Sequence, residues 1–324
     1  MVCVSCLALV VIAIFTFVCW RILFSDCDLI LQLAEKFGKS SASLTGKVVW
    51  IIGASSGIGE FTAYELAKAG CHLVLSARRN EELDRVKSQC LVSGKVKDDD
   101  VFVLPLNMLK TDTHAAAVET VLQHFNKIDI LFSNAGRHHR GMFESTSLDV
   151  DREMFELTVF GAMSLIKATL PSMKERKEGH IFVMSSVAGK QGAPAASPYT
   201  GAKHALQGYC DCLRMELIQY NIDVSVVCPG PVHSNLIQYS LTEKSSEFYG
   251  KAWTKDENMM TTPRCAELIG IMMANKLGEG WISPQPILAL MYLNQYLPWP
   301  FQRVSTKIGM KALAKMRDGA AKEK

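Results

Sequence analysis

The stretch Lys47-Val48-Val49-Trp50-Ile51-Ile52-Gly53-Ala54-Ser55-Ser56-Gly57-Ile58-Gly59 decides the fold. Its first six residues are rich in β-branched side chains and read as a strand, and three glycines follow at once. A helical pattern then runs to about Ala69. Glycines between a strand and a helix let the backbone approach a pyrophosphate, whose charge is met by the free N–H groups of the helix start. Such a loop is weak evidence alone and much stronger in this strand-to-helix setting.

Working outward, short apolar runs at 72–76, 101–105, 129–132, 180–185 and 223–228 read as further strands. Amphipathic segments lie between them, for instance with Leu83, Val86 and Cys90 on one face. This alternation predicts an α/β fold: a single Rossmann-type, doubly wound parallel sheet with helices on both sides. Ligands in such sheets sit at the carboxyl ends of the strands, near the switch point. Sites for NAD place an acid about 20 residues beyond the glycine loop, to bind the ribose hydroxyls. Here that place reads Ser76-Ala77-Arg78-Arg79. Two guanidiniums suit a 2′-phosphate, so NADP(H) is expected over NAD(H), against the plainer reading of two solvated helix-start residues.

Ser197-Pro198 looks like a helix start, which puts Tyr199 and Lys203 one turn apart on the same face. A phenol titrates near 10, and an ammonium about 4 Å away at an effective dielectric of about 20 contributes roughly 4 kcal/mol. The lysine is therefore expected to draw the tyrosine towards neutral pH, where it works as an acid or base. Ser186, at the end of the 180–185 strand, is placed to hold a substrate oxygen beside it. A Tyr-x-x-x-Lys pair alone is common on surface helices; the glycine loop and the strand-end serine make chance a poor account.

Gly53 to Gly59, Ser133-Asn134-Ala135-Gly136, Ser186, Tyr199 to Lys203 and Pro229-Gly230-Pro231-Val232 resemble, in order and spacing, the short-chain dehydrogenase/reductase family over roughly residues 46–285. The resemblance implies hydride transfer between a nicotinamide and a carbonyl or alcohol carbon, with Tyr199 as general acid/base. It implies that Lys203 tunes the tyrosine and holds the nicotinamide ribose, and that Ser186 orients the substrate. Gly53, Ser55, Ser56, Gly57, Ile58, Gly59, Arg78, Arg79, Asn107, Asn134, Tyr199, Lys203, Val232 and Ser234 are the implied cofactor contacts. Three positions depart from the family pattern. Thr158 stands where an asparagine usually helps to keep a water in a relay to the lysine. Ile52 replaces a threonine, and Asn107 replaces an aspartate but still accepts a hydrogen bond. Thr158 motivates a second reading, a membrane-bound NADP(H)-binding sensor or scaffold with little turnover. The intact Ser186, Tyr199 and Lys203 set argues for the enzyme, and a purely structural protein leaves the glycine loop and Arg78 without a purpose.

The chain of 324 residues is long enough for one large domain with extensions. A net charge of +3, with no basic run interleaved with aromatics across the body, excludes a nucleic-acid binder. From Val2 to Trp20 no side chain is charged, and about 28 Å of helix nearly matches a bilayer core of roughly 30 Å. Residues 1–24 are thus expected to be a single-pass transmembrane anchor. The alternative, a cleaved signal peptide, lacks a leading basic residue and an Ala-x-Ala site. Residues 25–46 read as a linker, 47–285 as the NADP-binding domain, and 286–324 as an apolar and basic extension facing membrane lipid. Arg303, Lys307, Lys311, Lys315, Arg317, Lys322 and Lys324 suit an interfacial helix or, alternatively, a solvated tail. The resemblance to microsomal relatives of the membrane-bound hydroxysteroid dehydrogenases implies the endoplasmic reticulum membrane. The basic residues after the anchor favour a cytosolic body, while the ten cysteines leave the membrane face open.

The 234–263 connection carries Leu236, Ile237, Tyr239, Leu241, Phe248, Tyr249, Trp253, Met259 and Met260. An apolar lid there fits a lipophilic substrate such as a steroid, a retinoid or a similar carbonyl, although the same side chains suit core packing or a partner subunit. Helices near 154–170 and 205–220 resemble dimer-forming elements of the family, so a homodimer is expected. Arg137-His138-His139-Arg140 lacks a carboxylate or thiol partner and reads as a solvated loop; no metal is expected.

Overall fold

Val48–Ile52 forms β1, a strand buried along its whole length. A strand covered on both faces needs no polar alternation, which is why this run is continuously apolar. Val48, Trp50 and Ile52 point into one helical layer, whereas Val49 and Ile51 point into the other. The computed structural model describes residues 2–23, 25–234, 236, 238–245, 247–250 and 259–321.

β2 (His72–Ser76) and β4 (Ile130–Ser133) flank β1, both parallel to it. With β3 (Val101–Val103), β5 (Gly179–Met184), β6 (Ile222–Pro229) and β7 (Glu279–Ile282), the seven-stranded order is β3-β2-β1-β4-β5-β6-β7. The chain therefore winds outward from β1 in one direction, then returns past it to β4. That reversal leaves a crevice at the carboxyl ends of β1 and β4. The first layer comprises α5 (His114–Phe125), α6 (Leu148–Phe155), α7 (Gly161–Arg176) and α8 (Ser197–Leu217). The second comprises α2 (Leu29–Phe37), α3 (Gly57–Lys68), α4 (Asn80–Ser93) and α9 (Thr262–Ala274).

The stretch expected as a linker is folded onto the domain. Cys27 bridges Ile282 in the antiparallel sense, so the chain here pairs with the outer edge of β7. Asp28 fastens it twice: Oδ1 caps α2 by accepting from the N–H groups of Ile30 (2.9 Å) and Leu31 (3.0 Å), while Oδ2 accepts from Trp281 N–H at 2.6 Å. Asp28→Ala should cost about 1–2 kcal/mol for the cap and a further 1–3 kcal/mol for the N–H left buried without a partner. Urea unfolding of the two proteins checks this; an unchanged midpoint means that other contacts hold α2.

Val2–Leu23 is one helix, α1, and its described side chains, among them Leu7, Val10, Ile12 and Phe17, are exposed. Among the described residues no helix is long and apolar enough to cross a membrane. The expected anchor lies partly outside them, since the side chains at 1–5, 14, 15, 18, 19 and 21–24 are not described. Beyond β7 come α10 (Ile287–Tyr296) and α11 (Pro298–Ala321), whose prolines at 298 and 300 fall in the first turn, where a missing N–H costs nothing. Leu288 and Met291 bury into the core, while Tyr296, Leu297 and Trp299 stay exposed. The side chains of Lys311, Lys315 and Arg317 and all of 322–324 lie outside the described residues.

Candidate active site

The glycine loop joins β1 to α3 with Gly53 at φ 79° and Gly57 at φ 59°, left-handed values that a side chain opposes. Gly59 is required by space instead: a Cβ there stands 2.3 Å from Gly53 O and 2.6 Å from Asn134 Nδ2. Asn134, at the end of β4, donates to Gly53 O at 3.1 Å and so ties the loop to the neighbouring strand. The N-cap Ser56 makes no side-chain capping bond, which leaves the first N–H groups of α3 available to an anion.

A cavity of about 350 Å³ opens over these carboxyl ends. Its walls include Gly53, Ser55, Ser56, Gly57, Ile58, Arg78, Arg79, Asn107, Asn134, Val232 and Ser234, together with Ser186, Tyr199 and Lys203. Arg78 and Arg79 follow β2, and Ser186 follows β5, so the cavity crosses the sheet over β1 and β4. Arg79 Nη2 donates to Ser55 Oγ at 3.3 Å, and Arg78 has no hydrogen-bond or ion-pair partner among the described residues. Asn107 Oδ1 accepts from Leu109 N–H at 3.2 Å, which shapes the turn after β3. Past β6, Ser234 Cβ lies 3.3 Å from where a Cβ on Gly57 would stand, so this glycine lets the two loops meet.

On α8, Tyr199 and Lys203 share one buried face, as their spacing predicts. Lys203 Nζ donates to Met184 O at 2.7 Å and sits 5.7 Å from the centre of the Tyr199 ring. Burial lowers the lysine to about 8, because it disfavours the ammonium. Burial also pushes the Tyr199 phenol up to about 12, opposed by a hydrogen bond from the Ser186 side. The lysine was expected to bring the phenol down; with its charge turned to Met184 O, desolvation wins. Ser186 Oγ donates to Pro229 O at 3.4 Å and accepts from Ala188 N–H at 3.1 Å, which fixes the hydroxyl next to the tyrosine.

Thr158 occupies a π-helical turn, Glu156–Phe160, between α6 and α7. Its Oγ1 faces Met154 Sδ at 3.6 Å, and its neighbour Leu157 lines the cavity in its place. Lys203 Nζ and Thr158 Oγ1 both approach Gly136, 3.7 and 3.8 Å from where a Cβ on it would stand. Of the lid residues, Leu236 and Tyr239 line the cavity, Leu241 packs fully into the core, and Ile237 and Trp253 lie outside the described residues.

The reading of Arg137 to Arg140 as a solvated loop is corrected. Arg137 lines the cavity and pairs with Glu153 at 2.6 Å. His138 packs on the Tyr199 ring with centroids 4.5 Å apart, and His139 is completely buried. The run is covered because His139 bridges Leu241 of the lid, a pairing across about a hundred residues that local polarity does not reveal. Among the described residues no cluster of His, Cys, Asp and Glu is able to hold a metal ion.

A parallel doubly wound sheet, a glycine loop at its switch point and a buried serine, tyrosine and lysine in one cavity define a short-chain dehydrogenase. The family model described as short chain dehydrogenase matches residues 47–245, and the chain belongs to that family, a family of oxidoreductases that bind a nicotinamide cofactor and act on small molecules. Its relatives include dehydrogenase/reductase SDR family member 7 of Homo sapiens, 46% identical over 301 residues that cover 92% of this chain and 88% of the relative. The Mus musculus protein of the same description is 43% identical over 300 residues, with the same coverage of 92% and 88%. Among solved structures, an alcohol dehydrogenase from the archaeon Thermococcus sibiricus, complexed with 5-hydroxy-NADP, superposes with a TM-score of 0.64 at 24% identity, covering 74% of this chain and 97% of its own. A short-chain dehydrogenase from Streptomyces avermitilis gives 0.66 at 24% identity, covering 85% and 99%. At that identity the two structures support the fold.

Proposed function

We propose that this protein is an NADP(H)-dependent oxidoreductase of lipophilic carbonyls and alcohols, with Tyr199 as its general acid/base. The observation that carries the reading is the single cavity that joins the glycine loop and Arg78 to Ser186, Tyr199 and Lys203. The bound nicotinamide supplies or accepts the hydride. Ser186 holds the substrate oxygen, Tyr199 gives or takes the proton at that oxygen, and Lys203 holds the ribose below it. The loop N–H groups and Asn134 keep the pyrophosphate place rigid.

The residues suit a 2′-phosphate. Arg78 is exposed with no hydrogen-bond or ion-pair partner among the described residues, and its charge also depresses the Arg137 guanidinium, after burial the second cause. An anion between such cations relieves their repulsion. Replacing Arg78 and Arg79 together by alanine should raise the Kd for NADPH about 10- to 100-fold, the worth of a charge-assisted bond of about 1.5–3 kcal/mol, with little effect on NADH. Fluorescence titration of both nucleotides reads this directly; equal losses for both leave the arginines without a role in cofactor choice.

A phenol held up near 12 stays protonated at neutral pH, ready to donate in carbonyl reduction. Alcohol oxidation needs the phenolate, so its kcat should still be climbing from about pH 7 to about pH 10. Reduction uses the protonated phenol and should stay level over the same range. Matching profiles in the two directions would contradict this assignment.

The apolar helix α1, with exposed Tyr296, Leu297 and Trp299 beyond β7, supports attachment to the endoplasmic reticulum membrane and access for a steroid, retinoid or similar lipid. Exposed Phe160, Tyr209, Met215 and Ile218 around α7 and α8 support a homodimer. A second reading, a cofactor-bound sensor, rests on Thr158 facing Met154. NADPH oxidation against steroid, retinoid and aromatic carbonyls separates the two: turnover establishes the reductase, and tight binding without turnover favours the sensor.

A further inference from the structure

We propose that the outer face of α10 and α11 is a docking surface for anionic phospholipid, with Arg303 and Lys307 meeting the headgroups, a second hold on the bilayer beside α1. The proposal rests on the membrane attachment proposed above and names the lipid chemistry that this face takes.

The inner face of this extension is already used. Leu288, Met291 and Phe301 are buried, and α11 lies on the loop before α8, where a Cβ on Gly309 would stand 3.5 Å from Pro194 Cγ. Asn294 Nδ2 donates to Lys190 O at 2.6 Å, so α10 holds the same loop. What remains outward is apolar and basic together: Tyr296, Leu297, Trp299, Val304 and Ile308 are exposed, and Arg303 and Lys307 stand exposed among them. Spacing by four along α11 brings Trp299, Arg303 and Lys307 onto one side. The Arg303 guanidinium lies 4.0 Å from the centre of the Trp299 ring.

Charge decides what covers this face. Between Glu279 and Asp318 the sequence carries no acid, whereas Arg303, Lys307, Lys311, Lys315 and Arg317 fall within it. A second copy of the face would bring like charges together. A layer of anionic headgroups meets them with the opposite sign, and the acyl boundary beneath it takes the aromatic and aliphatic side chains. Solvation alone accounts for the cations but not for an indole 62% exposed beside exposed Tyr296 and Leu297. α1 meets α10, so its exposed apolar side chains and this face are neighbours. Because α11 lies directly on the loop that joins Ser186 to Tyr199, docking brings that loop within about 10 Å of the headgroups, one helix diameter.

The test places the full chain in lipid nanodiscs of phosphatidylcholine alone or of phosphatidylcholine and phosphatidylserine at about 7:3. A pulse of hydroxyl radicals then oxidises exposed side chains, and mass spectrometry reads Trp299 against Phe143, which is exposed elsewhere. Relative to Phe143, oxidation of Trp299 should fall at least about threefold in the anionic discs, and salt at about 0.5 M should restore it. In Arg303→Gln/Lys307→Gln the two compositions should give the same rate. Equal rates for the wild type in the two compositions, or a difference that survives in the double variant, overturn the proposal. Protection that grows with protein concentration in lipid-free detergent assigns the face to a second copy and overturns it as well. Flotation with vesicles of the two compositions separates the two levels of the reading. A chain that floats with neither contradicts the membrane attachment itself, whereas one that floats with both and keeps Trp299 reactive contradicts this docking face alone.

Discussion

Tyr199→Phe should lower carbonyl reduction by about 10²–10⁴-fold, the usual worth of a positioned proton donor, and leave the Kd for NADPH within about twofold. The substitution removes one oxygen from a ring that stays packed between α8 and His138, so neither the fold nor the glycine loop loses a contact. What disappears is the proton that Tyr199 would give to the developing alkoxide. A fall in turnover with binding intact, in single-turnover and titration experiments, is the expected pattern. Comparable activity in the variant would move the proton donor elsewhere in the cavity.

Gly59→Ala should be nearly as damaging for a different reason. The added methyl stands 2.3 Å from Gly53 O, a backbone atom, and 2.6 Å from the Asn134 amide that binds the same oxygen. Relief requires α3 to move away from β1 or the Asn134 bond to break. Overpacking of this kind costs about 1–3 kcal/mol. Because the displaced atoms belong to the loop proposed to cradle the pyrophosphate, NADPH binding should weaken by at least about tenfold on top of a lower Tm. Thermal unfolding with and without NADPH reads both effects, and a variant that binds normally would show that the loop tolerates a wider separation.

Much of this was legible in the sequence because it is local. The strand, glycine loop and helix start are consecutive residues, and Tyr199 and Lys203 lie one helical turn apart, so their shared face follows from spacing alone. What escaped is carried by distant partners. β7 reads Glu279-Gly280-Trp281-Ile282, four residues with a charge and a glycine, and its outer edge is completed by Asp28 from the far end of the chain. The 137–140 loop looks polar and solvated by itself; it is half-buried, with His139 fully so, where Leu241 pairs with it. The lysine-to-tyrosine influence also misled, since an estimate from spacing contains neither the desolvation of both groups nor the Met184 carbonyl that takes the ammonium.

The most direct measurement is deuterium transfer from NADPH carrying deuterium on the reacting nicotinamide carbon to a steroid, retinoid or aromatic carbonyl, read by mass spectrometry of the alcohol. One deuterium on the new carbinol carbon, lost in Tyr199→Phe and slower from the corresponding NADH, is the predicted result. Tight NADPH binding with no deuterium in any carbonyl product would contradict the assignment of this cavity to hydride transfer.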